Sequence, residues 1–309
     1  MKIKDVNING NLFLAPMAGV TDFAFRSLAR SFGASFSYTE MVSAKALLYD
    51  NKKTKDLLIT LPNETPVGVQ LFGHEPEAFK KVLIQEELQK FDIIDINMGC
   101  PAPKIVKNGD GSKLMTDFET AQKVLKACVE NTSKLVTVKM RLGYSKDVSE
   151  DFAKMLEDNG ASALTVHGRL REEFYSGEAN LEAIARVKQT VKIPVIGNGD
   201  VTNKSSLESM LQTGVDGVMV GRGALGKPYI FSELLGKEQK VDKFKLIKEH
   251  IELLEKVYSE EYLSSYMKKH LLWYLKDEKG ANKIKIQICN EKNLQACLLI
   301  LQDFFEKCS

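Results

Sequence analysis

Short apolar runs recur roughly every 30 residues through the first three quarters of the chain, at 12–15, 36–38, 67–72, 93–96, 136–140, 163–166, 194–196 and 217–220. They are rich in Leu and β-branched residues without a polar alternate, the pattern of strands buried on both faces. Between them, 77–89, 117–131, 149–159, 181–190 and 205–213 place apolar residues three and four apart, as amphipathic helices do. Strand and helix alternating eight times predict an α/β fold, a closed (β/α)8 barrel of the TIM type, with a doubly wound sheet as the competing arrangement. Beyond Gly236 the period changes. Phe244, Ile247, Ile251, Leu254 and Tyr258 share one helical face, Tyr262, Tyr266, His270, Trp273 and Tyr274 a second, and Leu294, Cys297, Leu298, Leu301 and Phe305 a third. Ile284, Ile286 and Ile288 alternate as a strand would and leave that segment open. The division expected is a barrel over 1–236 and a helical domain over 237–309.

Composition narrows the class. The chain has 309 residues, 44% hydrophobic and 27% charged, an ordinary globular balance. Its longest apolar run is six residues, 296–301, and residues 1–11 lack the apolar core of a signal peptide, so no membrane span and a cytoplasmic location are expected. The five cysteines form no C-x-x-C pair, which predicts neither disulfides nor a bound metal. Net charge is +2, but 263–292 carries seven Lys against three acids, either a solvated face or a surface for phosphates. All seven Arg lie at or before Arg222, and Arg141, Arg169, Arg171 and Arg222 fall where loops are expected to begin.

In such barrels the chemistry gathers at the C-terminal ends of the strands. The Gly-rich turns there, Asn198-Gly199-Asp200 and Gly221-Arg222, stand in consecutive loops suited to holding a phosphate. Lys139 falls inside a strand, where an ammonium needs an anion, and the alternatives are a salt bridge or the N1–C2=O edge of a reduced flavin. Gln70 suits the edge of the same ring, and His167 either donates to a ligand or is a satisfied core residue. Cys100, between Gly99 and Pro101, sits on a tight loop rather than a helix face. A thiol of ordinary pKa, about 8.5, is protonated at neutral pH and can act as an acid. The other four cysteines read as packing residues.

Taken together, Ala15-Pro16-Met17-Ala18-Gly19-Val20-Thr21-Asp22, Asn97-Met98-Gly99-Cys100-Pro101, Lys139-Met140-Arg141, His167-Gly168-Arg169, Gly197-Asn198-Gly199-Asp200, Gly221-Arg222 and the later Lys268-Lys269-His270 resemble the tRNA-dihydrouridine synthases, most of all their bacterial B-type branch. The resemblance implies a barrel that binds FMN and reduces uridine in the tRNA D-loop, with NADPH restoring the flavin. It implies FMN contacts from Pro16, Met17, Ala18, Gln70, Lys139, His167, Asn198, Gly199, Asp200, Gly221 and Arg222. Cys100 would be the proton donor, and Asn97, Arg141, Lys268 and Lys269 would hold the substrate. The partner would be tRNA, with no obligatory protein partner. Two features depart from the family pattern: Leu170 stands where Thr is usual, and the helical domain contains no Arg. Two other functions share parts of the pattern. One is an FMN-dependent oxidoreductase of a free pyrimidine or dihydroorotate, which would not need 237–309. The other is a tRNA-binding protein without catalysis, against which the intact Cys100, Lys139 and glycine loops argue.

Overall fold

The computed structural model describes residues 1–49, 51–237 and 240–308. A small antiparallel hairpin, β1 (Lys2–Ile3) and β2 (Val6–Asn7), precedes eight parallel strands. These are β3 (Leu12–Leu14), β4 (Phe36–Ser43), β5 (Gly68–Phe72), β6 (Ile93–Met98), β7 (Leu135–Gly143), β8 (Ala163–Leu170), β9 (Val195–Asn198) and β10 (Gly217–Val220). They close in sequence order, with β10 pairing β3. All eight apolar runs are barrel strands, and the doubly wound alternative falls. Two predicted boundaries move. The 77–89 stretch is two helices, Pro76–Leu83 and Glu86–Gln89. Arg141 and Arg169, expected at loop starts, lie inside β7 and β8 and are buried, because the ladder continues past the apolar runs into polar residues.

Alternation along each strand explains how one sheet has an apolar outside and a polar upper interior. In β7, Val136, Val138, Met140 and Leu142 join the apolar layer beneath the outer helices. Leu135, Thr137, Lys139 and Arg141 take the intervening positions. Leu135 shares the lower interior with Phe13, Phe36, Ile93, Ala163, Ile196 and Met219, and the hairpin closes that floor with Ile3 and Ile8.

The C-terminal segment forms four helices, Lys243–Glu255, Glu260–Tyr274, Ala281–Asn290 and Leu294–Cys308. Ile284 to Ile288 is therefore helical. Only Ile288 of the three isoleucines is buried, packing one turn from Ile284, while Ile286 is 63% exposed, so the alternation reflects no strand. The helices share one apolar core with Phe23, Ala24 and Leu28 of the Phe23–Ser31 helix that follows β3.

A buried polar knot marks the join. Asp22 caps the Phe23–Ser31 helix by accepting from Phe25 N–H at 2.8 Å, and its other oxygen accepts from Tyr266 O–H at 2.8 Å. His250 Nε2 and His270 Nε2 approach the two carboxylate oxygens at 3.5 and 3.6 Å. All three side chains are buried. Burial alone would raise the Asp22 carboxyl, but His250, His270 and the Phe25 N–H hold it well below the usual carboxylate range. These ligand types would suit a cation, yet both carboxylate oxygens already accept hydrogen bonds within the fold. Beneath the same helix, Arg26 and Glu64 form a fully buried ion pair at 2.6 Å. Arg26 also donates to the carbonyls of Thr21 and Ile59.

Candidate active site at the barrel mouth

The upper interior gathers Gln70 from β5, Asp95 and Asn97 from β6, Thr137, Lys139 and Arg141 from β7, His167 from β8 and Asn198 from β9. Register pairs Asn97 with Lys139, Arg141 with His167, and His167 with Asn198, so the expected residues from four separate runs meet.

Cys100 follows β6 on a loop fastened from several sides. Cys100 N–H and Gly99 N–H both donate to Asn97 Oδ1, at 2.8 and 3.2 Å. Ser112 Oγ donates to the Cys100 carbonyl at 2.9 Å, and Arg141 Nε to the Gly99 carbonyl at 2.9 Å. Burial pushes the Cys100 thiol up, against the pull of the Ala102 N–H, Arg141 and Lys139. The shift favours the protonated thiol. Cys128 and Cys297 are buried as expected of packing residues, but Cys289 is exposed and corrects that assignment; the side chain of Cys308 lies outside the described residues.

Lys139 donates to Asn198 Oδ1 at 3.1 Å, and Asn198 Nδ2 donates to the Met219 carbonyl at 2.8 Å. The ammonium thus rests on a neutral amide rather than on a carboxylate, which is not the salt bridge that was one of its two alternatives. Burial and then Arg141 bring Lys139 down to about 8, partly offset by Asp95 deeper in the barrel. His167 is buried among Lys139, Arg141, Arg169 and Arg222, and burial with those four charges keeps its imidazole neutral. The mouth thus carries more cations than anions.

Behind it, Asp200 joins two loops. Its carboxylate accepts from Arg169 Nη2 at 2.6 Å, Arg222 Nη2 at 2.8 Å and Ala179 N–H at 2.8 Å. Arg169 further donates to the carbonyls of Ser176 and Gly177. Gly199 has φ +139°, and a Cβ there would come within 2.5 Å of Ala179 Cβ, so this turn requires glycine. At Gly221 a Cβ would meet only Ala15 and Met17, at 3.6 and 3.9 Å. Asp200 therefore faces its own arginines, and a phosphate at this lip would meet Arg222 and backbone rather than that carboxylate.

Pro16, Met17 and Ala18 follow β3, with Ala18 exposed and the other two half-buried. The two expected lysines part company. Lys268 donates to the Cys289 carbonyl at 3.3 Å within the helical segment. Lys269 leans back toward the barrel, 4.1 Å from the Tyr266 ring centre and close beside Gly19. Neither motif nor periodicity singles out Asp95, Thr137 and Tyr175. The first two can be found by stepping back two residues from Asn97 and Lys139. Tyr175, on the loop after β8, lies under the guanidinium groups of Arg222 and Arg141, at 4.8 and 5.6 Å from its ring centre, and its place depends on a loop that periodicity does not describe.

A closed parallel barrel with a thiol, a half-buried ammonium and a cationic loop pair at its C-terminal mouth has the build of a barrel enzyme. The chain belongs to the dihydrouridine synthase family, whose model matches residues 13–308. It is 39% identical to a probable tRNA-dihydrouridine synthase of Rickettsia conorii, over 89% of this chain and 87% of the relative. It is 35% identical to tRNA-dihydrouridine synthase B of Pseudomonas aeruginosa, over 99% of this chain and 96% of the relative. Among solved structures it is similar in fold to a morphinone reductase variant in complex with tetrahydroNAD (TM-score 0.58, 10% identity, 77% of this chain and 90% of that one). Histamine dehydrogenase from Rhizobium gives TM-score 0.60 at 11% identity over 88% of this chain, which spans 50% of that longer protein.

Proposed function

We propose that this protein reduces uridine in the D-loop of tRNA to 5,6-dihydrouridine, using FMN at the barrel mouth and NADPH as the reductant. Family membership supports the reaction, and the surplus of cations around His167 supports an anionic cofactor. Asn198, Gly199, Gly221 and Arg222 would hold the phosphate, with Asp200 orienting Arg222. Pro16, Met17 and Ala18 would line one side of the ring, and Gln70, Lys139 and His167 would meet its edge. When FMN is held there in its reduced form, the chemistry it would supply is hydride for C6 of the uracil.

The chain's own residues do the rest. Uridine must leave its stack to enter the mouth. Hydride at C6 leaves negative charge over C5 and O4, which Lys139 and Arg141 offset. Cys100 delivers the proton to C5, and the observation that carries this assignment is its place on the loop after β6, held at the barrel mouth by Asn97, Ser112 and Arg141. Asn97, expected to touch substrate, acts through the Cys100 loop, since its Oδ1 is taken by Cys100 and Gly99 N–H. Residues 237–309, with Lys268 and Lys269, form the domain that holds tRNA, and the enzyme works in the cytoplasm. No helix among the described residues is long and apolar enough to cross a membrane.

The test is stopped-flow absorbance of the flavin. Cys100→Ala leaves reduction by NADPH near wild type and slows reoxidation by tRNA by about 100-fold, the scale of a lost general acid. Ser restores little. Wild-type rates for both phases in Cys100→Ala, or equal slowing of both, would remove this residue from the mechanism.

A further inference from the structure

The barrel interior holds a carboxylate that this reaction does not use. Asp95 is 1% exposed and lies two residues before Asn97 on β6. Thr137 Oγ1 donates to Asp95 Oδ1 at 2.6 Å, and Gln70 Nε2 donates to Asp95 Oδ2 at 2.7 Å. From there a single line of hydrogen bonds climbs to the mouth. Asn97 Nδ2 donates to Gln70 Oε1 at 2.8 Å, and Cys100 N–H donates to Asn97 Oδ1 at 2.8 Å.

The polarity of this line is set at its ends. A backbone N–H can only donate, and an ionised carboxylate can only accept. The two amides between them have nearly the same shape either way round, yet only one orientation satisfies both ends. An inverted Gln70 would point its carbonyl at Asp95, and an inverted Asn97 would point its NH2 at two N–H groups. Gln70, Asn97 and Asp95 are all buried, so water cannot substitute for a missing partner.

We propose that Asp95 is a positioning residue for Cys100: through Gln70 and Asn97 it fixes the loop that carries the thiol, without touching substrate. The inference rests on the reading of Cys100 as the proton donor. It also gives Gln70 a duty distinct from the expected flavin contact.

Variants of the full-length, flavin-loaded protein test it in the same two half-reactions. Asp95→Ala slows reoxidation by tRNA on the order of 10- to 100-fold, the scale of a misplaced reacting group, while reduction by NADPH is largely retained. Asp95→Asn recovers most of that loss, because its carbonyl oxygen still accepts from Gln70. Gln70→Met cuts the same line one link higher, and because Gln70 also meets the flavin in this reading, that variant is read by the labelling of Cys100 and not by its rate of reduction. The double variant Asp95→Ala/Gln70→Met is no slower than its slower parent, because one line can be cut only once. As a readout apart from turnover, iodoacetamide labels Cys100 faster in Asp95→Ala and Gln70→Met than in wild type or Asp95→Asn, followed by peptide mass.

Normal reoxidation and labelling in Asp95→Ala would overturn the proposal. So would Asp95→Asn as slow as Asp95→Ala, which would make loss of a counter-charge to Lys139 the cause. Should Asp95→Ala fail to fold, Gln70→Met decides by the labelling of Cys100: unchanged labelling there overturns the proposal. Cys100→Ala separates the two levels. Unslowed reoxidation there removes the acid assignment and this inference together, whereas slow Cys100→Ala with normal Asp95→Ala removes the inference alone.

Discussion

Lys139 carries a charge that the protein does little to neutralise, and its proton is accordingly loose. With burial and Arg141 drawing it to about 8, the ammonium is full below that pH and lost above it. Burial pushes the Cys100 thiol up from its ordinary value, which moves its own loss of a proton to higher pH. Reoxidation by tRNA is therefore expected to fall as pH rises through about 8, and Lys139→Met should lose that limb along with most of the rate. A flat profile in the wild type across the range on either side of that value would count against Lys139 as the charge that matters. Much of this is legible in the sequence, because a lysine inside an apolar run is conspicuous. Asp95 is not: one acid near the end of 93–96 reads as the polar close of a strand, and only the partners above and below show that it faces inward.

At the scale of elements, the strands are readable because each is buried on both sides, and a short, β-branched apolar run between turn residues rarely forms anything else. The helices expected over 117–131, 149–159, 181–190 and 205–213 are readable to within a turn, whereas 77–89 divides in two and the helix over 281–290 is hidden by its alternating isoleucines. What the pattern does not supply is polar burial across elements. Arg26 and Glu64 are 38 residues apart and each looks like a surface charge on its helix or turn, yet their side chains are buried at 1% and 0% exposure. Removing one partner strands the other, so Arg26→Met should cost about 3–5 kcal/mol of stability, and Glu64→Leu a similar amount. The double variant should cost much less than the sum, because no lone charge remains. Thermal melts of the three variants measure this. Additive losses would show that the pair does not act as a unit.

The whole molecule depends on contacts between residues more than 200 positions apart, and no periodicity announces them. His270 lies in the knot with Asp22, and burial, then His250, lower it to about 3. An unfolded histidine titrates near about 6.5. Below that pH the unfolded chain takes up a proton that the folded chain refuses, so stability that is full above about 6.5 declines as pH falls toward about 3. Asp22, held low in the fold, adds a further loss once acid reaches its own range. His270→Gln should flatten the slope of stability against pH between about 6.5 and about 4 by up to about one proton, measured by melts across that range. An unchanged slope would show that another group sets the acid limit. A second feature of the join is the turn after β10. Gly226 has φ +65°, and a Cβ there would fall 2.2 Å from the carbonyl of Trp273 and 2.6 Å from the nitrogen of Tyr274. Backbone meets backbone at that point, with no side chain between to be trimmed or lengthened. The helical segment is thus not an interchangeable attachment. A chimaera that grafts a relative's helices onto this barrel will seat them only if the turn around 226 and the helix end around 273–274 are taken from the same parent.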